Sequence, residues 1–270
     1  MVVINIYQYT LSHSIVTRRS IRHTHYHRWF ARESTKFFAP LLAPQGDAPR
    51  TRARPHSREN WGKEAFPWLS VRECFIGFSP ATVMAVSFSG EMAYEIHIPN
   101  ESLYAAYQSL TKAGKEFGMQ IFGARAVESM RMEKGFLAWK HDLITEYDPF
   151  ETGLHRFTNL QKEDFIGKAA LQKRFDSSLK KKLVCLNINC KHAPAPGGAS
   201  LMDRDKVVGT ISSGEWGYRV NQNLAYAFVN IDKAEIGTKM DLDLFGKLIE
   251  AEVIPFASTQ MGITNAMLKD

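Results

Sequence analysis

The C-terminal third of the chain carries a series of short apolar runs separated by glycines, and this pattern limits the possible folds more than any other feature. Runs of this length and spacing are typical of antiparallel strands joined by tight turns. Five strands are predicted, over Leu183–Asn189, Lys206–Ser213, Ala225–Asn230, Lys239–Leu244 and Leu248–Ile254. The pattern therefore predicts a small antiparallel β-barrel or sandwich.

Strands and helices alternate in the stretch before this region. The segment Glu91–Ile98 alternates between apolar and polar residues, which places Glu95 on the strand face opposite the apolar set. Further strands are predicted over Glu73–Phe78 and Thr82–Ser89, and helices over 100–118, 123–134 and 167–175. The expected fold class is thus α+β, with an α/β subdomain followed by a C-terminal antiparallel β-barrel.

The first 65 residues differ from the rest in charge and in pattern. They carry 11 Lys and Arg against 4 Asp and Glu, a net charge of +7; since the whole chain is +6, the remainder is −1. Without apolar periodicity such a stretch buries too little surface to offset the entropy of ordering it. A disordered tail or a misplaced start codon, a mitochondrial transit peptide, and an arm for nucleic acid or membrane are the open alternatives.

Other site classes find little support in the sequence. Cys74, Cys185 and Cys190 are too few for a disulfide framework, and the Cys185–Cys190 spacing does not fit a zinc site, so no metal is expected. No apolar run approaches the roughly 18 residues that span a bilayer, and the basic charge lies outside the globular part. Neither a membrane nor a nucleic acid is therefore expected as a partner.

Two positions could carry binding chemistry. The Glu95 carboxylate offers two acceptor oxygens to a planar donor edge, and Arg125 offers a guanidinium that can meet carboxylates bidentately. Arg125 opens the helical segment GARAVESMRMEKG, whose other charged residues include Glu128 and Arg131. By pattern alone this is a surface helix with ion pairs, and the His141-Asp142 pair that follows specifies no function.

Five ordered blocks of the sequence resemble one family. They are FPWLSVRECFIGFSPATVMAVSFSGEMAYEIHIP, GARAVESMRMEKGFLAWKHDL, DPFETGL with DFIGKAAL, ISSGEWGYRVNQNLAYAFV, and VIPFAS. Together they are similar to aminomethyltransferase (glycine cleavage T-protein) domains, above all those of sarcosine oxidase α subunits and dimethylglycine dehydrogenases. The resemblance runs from about Phe66 to Pro255.

This resemblance implies a tetrahydrofolate-binding domain that supports one-carbon transfer from a sarcosine, dimethylglycine or glycine-type amine. Glu95 then falls on the glutamate that holds the pterin, and Arg125 on the arginine that opens the following helix. The expected partners are folate, a small amine-derived substrate and a flavoprotein oxidase or dehydrogenase subunit or domain. Cytoplasm is the expected location, with the mitochondrial matrix as the alternative.

The chain departs from the family at two places. Members of the family have an N-terminal half that supplies an aspartate, and residues 1–65 do not match that half. The family also has a C-terminal tyrosine, and the stretch Thr259–Gly262 stands in its place here. The catalytic residues are therefore unknown, and exposed apolar surface is expected where that half would pack. The alternative function is a non-catalytic truncated fragment or assembly module of an amine oxidase or dehydrogenase complex. The expected domains are a basic tail (1–65), a partial folate-binding domain (66–178) and a barrel (179–270).

Overall fold

The computed structural model describes residues 2–7, 12–17, 61 and 64–256, the first two of these ranges by their backbone alone. The chain divides into two compact units, of which the first ends at Val127 and the second begins at Glu128. The stretch Thr259–Gly262, which replaces the family's C-terminal tyrosine, lies outside the described residues, and so do residues 18–60 of the basic N-terminal range.

The first unit is built on a six-stranded sheet in the order β3-β4-β5-β1-β2-β6. Its strands are β1 (Val2–Tyr7), β2 (Ser12–Thr17), β3 (Val71–Ile76), β4 (Ser79–Met84), β5 (Met92–His97) and β6 (Met119–Phe122). Neighbouring strands are antiparallel except for β1 and β5, which are parallel. All three strands that were predicted in this region are present, with ends that differ from the prediction by one to five residues, whereas β6 was not predicted.

One face of this sheet is packed against helix α1 (Asn100–Gly114). As the alternation in β5 predicted, Tyr94, Ile96 and Ile98 are buried on that face, where they join Ala106 and Leu110 of the helix in one core. The helix starts directly after Pro99, whose fixed φ suits a helix entry but not a continuing strand. The packed side leaves Glu95 on the opposite side of the sheet, because side chains alternate along a strand.

Strands β1 and β2 lie within the range that the sequence analysis interpreted as a basic tail. They sit inside the sheet, where β1 pairs with β5 and β2 pairs with β6. Their sequences, VVINIY and SHSIVT, are short, and β-branched residues make up at least half of each. At these two strands the structure differs from the tail interpretation, while the predicted domain boundaries themselves stay a prediction.

The second unit contains a closed six-stranded barrel in the order β10-β7-β12-β11-β8-β9. Its strands are β7 (Lys181–Ile188), β8 (Ser200–Asp203), β9 (Lys206–Gly217), β10 (Gln222–Asn230), β11 (Lys239–Leu244) and β12 (Lys247–Ile254). The barrel confirms the predicted fold class. Strand β8 was not predicted, because its sequence SLMD is too short and too polar to show a period of two.

Two further helices lie in the described part of the chain. Helix α2 (Ala124–Lys134) follows β6, and helix α3 (Lys168–Phe175) precedes the barrel. Short 3-10 turns occupy Lys115–Phe117, Leu154–Phe157 and Ile231–Lys233. Within the part of the chain that is described, none of the helices has the length and apolar character needed to cross a membrane.

Candidate functional site

Glu95 lies on β5, on the face of the sheet that α1 does not cover. Its side chain is 20% exposed, and its Oε2 atom is 3.8 Å from Nε2 of His97, two residues along the same face. The register pairs Glu95 with Met84 of β4, which in turn pairs with Val71 of β3. Val71 is exposed, so this row of the sheet is open to solvent at its β3 end. The carboxylate thus points away from the core that Tyr94 and Ile96 form with α1.

The same face continues to the far edge of the sheet. Glu95 is in register with Asn5 of β1, Asn5 with Ser14 of β2, and Ser14 with Phe122 of β6. With strands spaced about 4.8 Å apart, three steps place Glu95 and Phe122 roughly 14 Å from each other on one row. Residues on one row point to the same face, so Phe122 shares the face of Glu95.

Arg125 comes three residues after Phe122, in the first turn of α2. Its side chain is exposed. Glu95 and Arg125 both belong to the first unit; Glu95 lies on β5, the third of the six strands, and Arg125 follows the edge strand β6. The Glu95 carboxylate can accept hydrogen bonds and the Arg125 guanidinium can donate them. Such a pair of groups suits a ligand that has a donor edge and an acidic tail.

The C-terminal half of α2 differs from the surface helix that its sequence pattern indicated. Ser129, Arg131, Glu133 and Lys134 are all buried. Arg131 is 1% exposed, and its Nη1 atom donates to Oδ2 of Asp142 at 2.7 Å. The surface interpretation was therefore wrong for this part of the helix, because tertiary packing in the second unit encloses it.

Arg131 uses every donor that a guanidinium has. Nε and Nη2 both donate to Glu128, Nη2 also donates to Ser213, and Nη1 donates to the carbonyl of Phe136 as well as to Asp142. A guanidinium carries five N–H groups, and these five hydrogen bonds occupy all of them. Arg131 has no donor left for a ligand, so it serves the structure of the fold.

Asp142 is held by three hydrogen bonds. One carboxylate oxygen accepts from Arg131 and from the backbone N–H of Ala138, and the other accepts from the Ser212 hydroxyl at 2.5 Å. The side chain is fully buried. The carboxylate therefore orders the loop after α2 and the start of β9's second half, to which its hydrogen bonds run.

Tyr226 completes this buried cluster. The Arg131 guanidinium lies over its ring, 5.6 Å from the ring centroid, and its hydroxyl donates to the carbonyl oxygen of Met132. Burial raises the pKa of Tyr226 well above its usual value. The sequence analysis missed Arg131, Asp142, Ser212, Ser213 and Tyr226 as a group. The only available signal was the His-Asp pair after the helix, and the two serines are some seventy residues further along.

The DPFETGL block forms a second charged cluster. Asp148 accepts from the backbone N–H groups of Phe150 and Glu151, and its other oxygen pairs with Arg174 of α3. Burial acts to raise the pKa of Asp148, but the Arg174 and backbone hydrogen bonds outweigh it and hold the pKa below its usual value. This aspartate orders its own turn and fastens α3 to it.

The cysteines give no sign of a metal centre. Cys185 is buried in β7, where loss of solvent raises the pKa of its thiol to about 12. Among the described residues, no group of three or more His, Cys, Asp or Glu side chains is placed to hold a metal ion.

Comparisons with known proteins agree with this architecture. The sequence model of the GCVT N-terminal domain matches residues 22–162, and that of the glycine cleavage T-protein C-terminal barrel domain matches residues 181–257. The first match begins before Phe66, the point at which the motif resemblance starts. The boundary between the two matches falls close to the start of the barrel.

Several known proteins are similar to large parts of the chain. A mitochondrial dimethylglycine dehydrogenase of Mus musculus is 34% identical over 73% of this chain and 23% of its own length. A mitochondrial sarcosine dehydrogenase of the same species is 29% identical over 84% of this chain and 24% of its own. An aminomethyltransferase of Alkaliphilus oremlandii is 29% identical over 64% of this chain and 46% of its own. The chain thus spans between a quarter and a half of the length of these relatives.

A solved structure supports the fold directly. The glycine cleavage system aminomethyltransferase T from Bartonella henselae superposes with a TM-score of 0.61, at 22% identity, over 67% of this chain and 50% of that one. The two family models together cover most of the chain, in the order of the two structural regions. The chain belongs to the glycine cleavage T-protein (aminomethyltransferase) family.

Proposed function

We propose that this chain binds tetrahydrofolate through Glu95 and Arg125 and supports transfer of a one-carbon unit to it from a sarcosine, dimethylglycine or glycine-type amine. The observation that carries the proposal is the position of Glu95, a carboxylate that is 20% exposed and lies on the face of the sheet opposite α1. The names of the relatives, an aminomethyltransferase and two dehydrogenases of methylated glycines, support the substrate class.

The chemistry of Glu95 suits the pterin ring. The pyrimidinone edge of a pterin presents two adjacent N–H donors, and a carboxylate accepts both with its two oxygens. Because Glu95 is partly withdrawn from solvent, these charge-assisted bonds are stronger than on a fully exposed surface. An apolar neighbour in register, Met84, offers a contact for the flat ring beside the carboxylate.

The chemistry of Arg125 suits the other end of folate. The glutamate tail carries carboxylates, which a planar guanidinium meets through two parallel hydrogen bonds. Since Arg131 has no spare donor, Arg125 is the arginine of α2 that can serve this purpose.

Bound tetrahydrofolate would supply the amine nitrogens that accept the one-carbon unit. The contribution of the protein is to hold the acceptor in a fixed orientation beside the electrophilic amine-derived group. No catalytic base is assigned. Oxidation of the amine would come from a flavoprotein subunit or domain, and the mitochondrial names of the relatives favour the matrix over the cytoplasm as the location.

Titration of folinic acid into the purified protein, followed by calorimetry, tests the proposal. We expect saturable binding that Glu95→Ala and Arg125→Ala each weaken at least about tenfold, as the loss of a charge-assisted hydrogen-bond pair requires. Glu101→Ala and Arg156→Ala, which remove exposed residues of the same types elsewhere, serve as matched controls. Absence of binding by the wild-type protein, or full binding by both site variants, contradicts the proposal.

A second function, an assembly module without turnover, is favoured by the exposed apolar surface around β3. Trp68, Leu69, Val71, Phe75 and Phe78 are all largely exposed, and β3 is an edge strand of the sheet. Surfaces of this kind commonly pack against other protein. An assembly module that has lost its site would show no folinic acid binding while its circular dichroism spectrum remains that of a folded α+β protein.

A further inference from the structure

A groove with a volume of about 220 Å³ lies on the barrel of the second unit. Charged side chains make up most of its lining, which includes Met202, Asp203, Arg204, Lys239, Asp241 and Glu250. A water molecule takes up roughly 30 Å³ in the liquid, so this space suits a ligand of about seven non-hydrogen atoms. The groove therefore suits a small metabolite and is too small for a nucleotide or a folate.

The register of the strands brings the lining residues of this barrel groove together. Asp241 of β11 pairs with Met202 of β8 on one side and with Glu250 of β12 on the other. The neighbouring residues Leu201 and Leu242 are buried in the core of the barrel, so the row through Asp241 points outward. Two carboxylates thus lie directly opposite each other on the outer surface, an arrangement that is destabilising by itself.

Ion pairs account for two of the three carboxylates that line the barrel groove. Glu250 pairs with Lys239 at 3.2 Å, and Asp203 pairs with Lys233. Asp241 makes no hydrogen bond or ion pair with another residue in the described part of the chain, and it is only partly exposed. A partly desolvated carboxylate without a cation is unfavourable. A positively charged ligand group beside Asp241 would remove this cost and would also offset the repulsion from Glu250.

Arg204 is the cationic counterpart of Asp241. It lies in the turn between β8 and β9, and its guanidinium makes no hydrogen bond or ion pair among the described residues. The pKa of Asp203 is lowered mainly by its hydrogen bond with Lys233 and only to a smaller extent by Arg204. Since Arg204 is two residues beyond Met202, its Cα lies roughly 8 Å from that of Asp241. A small ligand can therefore contact both side chains at once.

The backbone of Arg204 gives a second indication of a binding site. Its φ is +56°, in the left-handed region that a residue with a side chain rarely adopts. Strain of this kind is concentrated at positions that bind ligands. The left-handed turn holds the start of the Arg204 side chain beside the row of Met202 and Asp241.

We propose that the barrel groove binds the zwitterion of a small α-amino acid, with its carboxylate at Arg204 and its ammonium group at Asp241. The two side chains have opposite charges, and a zwitterion is the class of ligand that pairs with both of them. A ligand with a single charge pairs with only one. Met202 lines the same groove and offers an apolar contact to the side chain of the amino acid. This binding is independent of the proposed binding of folate.

The test is a titration of L-alanine into the purified, isotope-labelled full chain at low ionic strength, followed by the NMR signals of the amides of β8 and β11. We expect shifts that saturate. Propionate keeps only the carboxylate and ethylamine keeps only the ammonium group. Each should bind at least about fivefold more weakly than L-alanine, because each loses one charge-assisted contact.

Two variants and a matched control test the named residues. Asp241→Asn removes the negative charge at nearly constant shape, and Arg204→Asn introduces a residue that tolerates the left-handed backbone. Each should raise the Kd of L-alanine at least about fivefold. Asp243→Asn is the control and should keep the wild-type Kd, because Asp243 lies outside the lining of the groove and asparagine can still accept the hydrogen bond from Gly246.

The ligand series uses the wild-type protein alone, so it gives a result even if a variant does not fold. Shifts that do not saturate, or binding of propionate or ethylamine as tight as that of L-alanine, overturn the proposed site. A wild-type Kd in Asp241→Asn or in Arg204→Asn overturns it as well, and so does an equal loss in Asp243→Asn. Preference for the zwitterion, together with losses confined to the two groove variants, supports it.

Discussion

Arg131 and Asp142 form an ion pair that is almost completely removed from solvent. Nη1 of the arginine lies 2.7 Å from Oδ2 of the aspartate, and the two side chains are 1% and 0% exposed. The remaining donors of Arg131 and the remaining acceptors of Asp142 are also used, by groups of α2, the following loop and β9. The pair thus joins the helix, the loop and the barrel of the second unit into one network.

Removal of one partner of this pair should be costly. Arg131→Met leaves the Asp142 carboxylate buried without its cation, and such a loss typically lowers the free energy of unfolding by about 3–5 kcal/mol. Urea denaturation followed by circular dichroism measures the change. The free energy of unfolding of Arg131→Lys should lie between those of the wild type and Arg131→Met, because an ammonium keeps the charge but not the planar arrangement of donors.

Arg125→Met provides the control within the same helix. Because Arg125 is exposed, its replacement should change the free energy of unfolding by no more than about 0.5 kcal/mol. Equal losses in the two variants, or a loss below about 1 kcal/mol for Arg131→Met, would refute the structural role assigned to the buried pair.

Asp148 should make stability fall in acid. Its pKa is held below the usual value in the folded protein, by Arg174 and by backbone N–H groups against the opposing effect of burial. A carboxyl with a lowered folded pKa stabilises the protein above its unfolded pKa, near 4, and loses that contribution as pH falls through the folded value.

The comparison is between wild type and Asp148→Asn, by thermal denaturation from pH 7 to pH 3. At pH 7 the variant should be less stable by about 1 kcal/mol, because the pair with the partly exposed Arg174 is lost. Below about pH 4 the difference should shrink, since the wild-type carboxyl becomes protonated. A difference that stays constant across the range would show that Asp148 does not act through its charge.

Much of the fold was predictable because many of its strands show an alternation of apolar and polar residues or are bounded by glycines. In β5 the alternation of Tyr94 and Ile96 with Glu95 shows directly which face is buried, and the structure confirms it. In the barrel, glycines mark the turns between apolar runs. Strands without such a signal were missed: β8 is four residues long, and its pairing with β9 and β11 comes from the closure of the barrel.

The candidate site was less predictable. The alternation in β5 alone places Glu95 on the face opposite the apolar residues. Arg125 and Arg131, in contrast, look equivalent in the sequence of α2. They differ because Asp142 of the loop after the helix and Ser213, 82 residues further along the chain, bind one of them. Whether a charged residue is buried depends on partners outside its own helix, so the sequence pattern of that helix does not reveal it. Whether Glu95 and Arg125 bind folate stays a prediction.

Cys185 should be unreactive in the folded protein. Burial raises the pKa of its thiol to about 12, so the thiolate that reacts with disulfide reagents is scarce at pH 8, and the side chain is inaccessible as well. Native protein treated with Ellman's reagent should leave Cys185 unlabelled, as read by peptide mass spectrometry, whereas protein in guanidinium should react at all three cysteines. Rapid labelling of Cys185 without denaturant would contradict its burial in β7.

Gly214 of β9 should not tolerate a larger residue. A Cβ there would overlap the backbone carbonyl oxygen of Ala195, with the carbonyl carbon only 3.0 Å away. The segment that contains Ala195 has little freedom to move, because the Asn223 amide of β10 donates to the nearby carbonyls of Cys190 and Ala193. We expect Gly214→Ala to cost about 3 kcal/mol or more in stability, as overpacking against backbone does.

Gly246→Ala separates this steric effect from backbone strain. Gly246 has a φ of +81°, but a Cβ there meets nothing within 4 Å. Its replacement should therefore cost only the strain of a left-handed alanine, about 1 kcal/mol. Urea denaturation of both variants measures the two losses in the same barrel. If Gly214→Ala were no more destabilising than Gly246→Ala, the segment around Ala195 would have to move aside freely, and the close packing of that segment on β9 would be disproved.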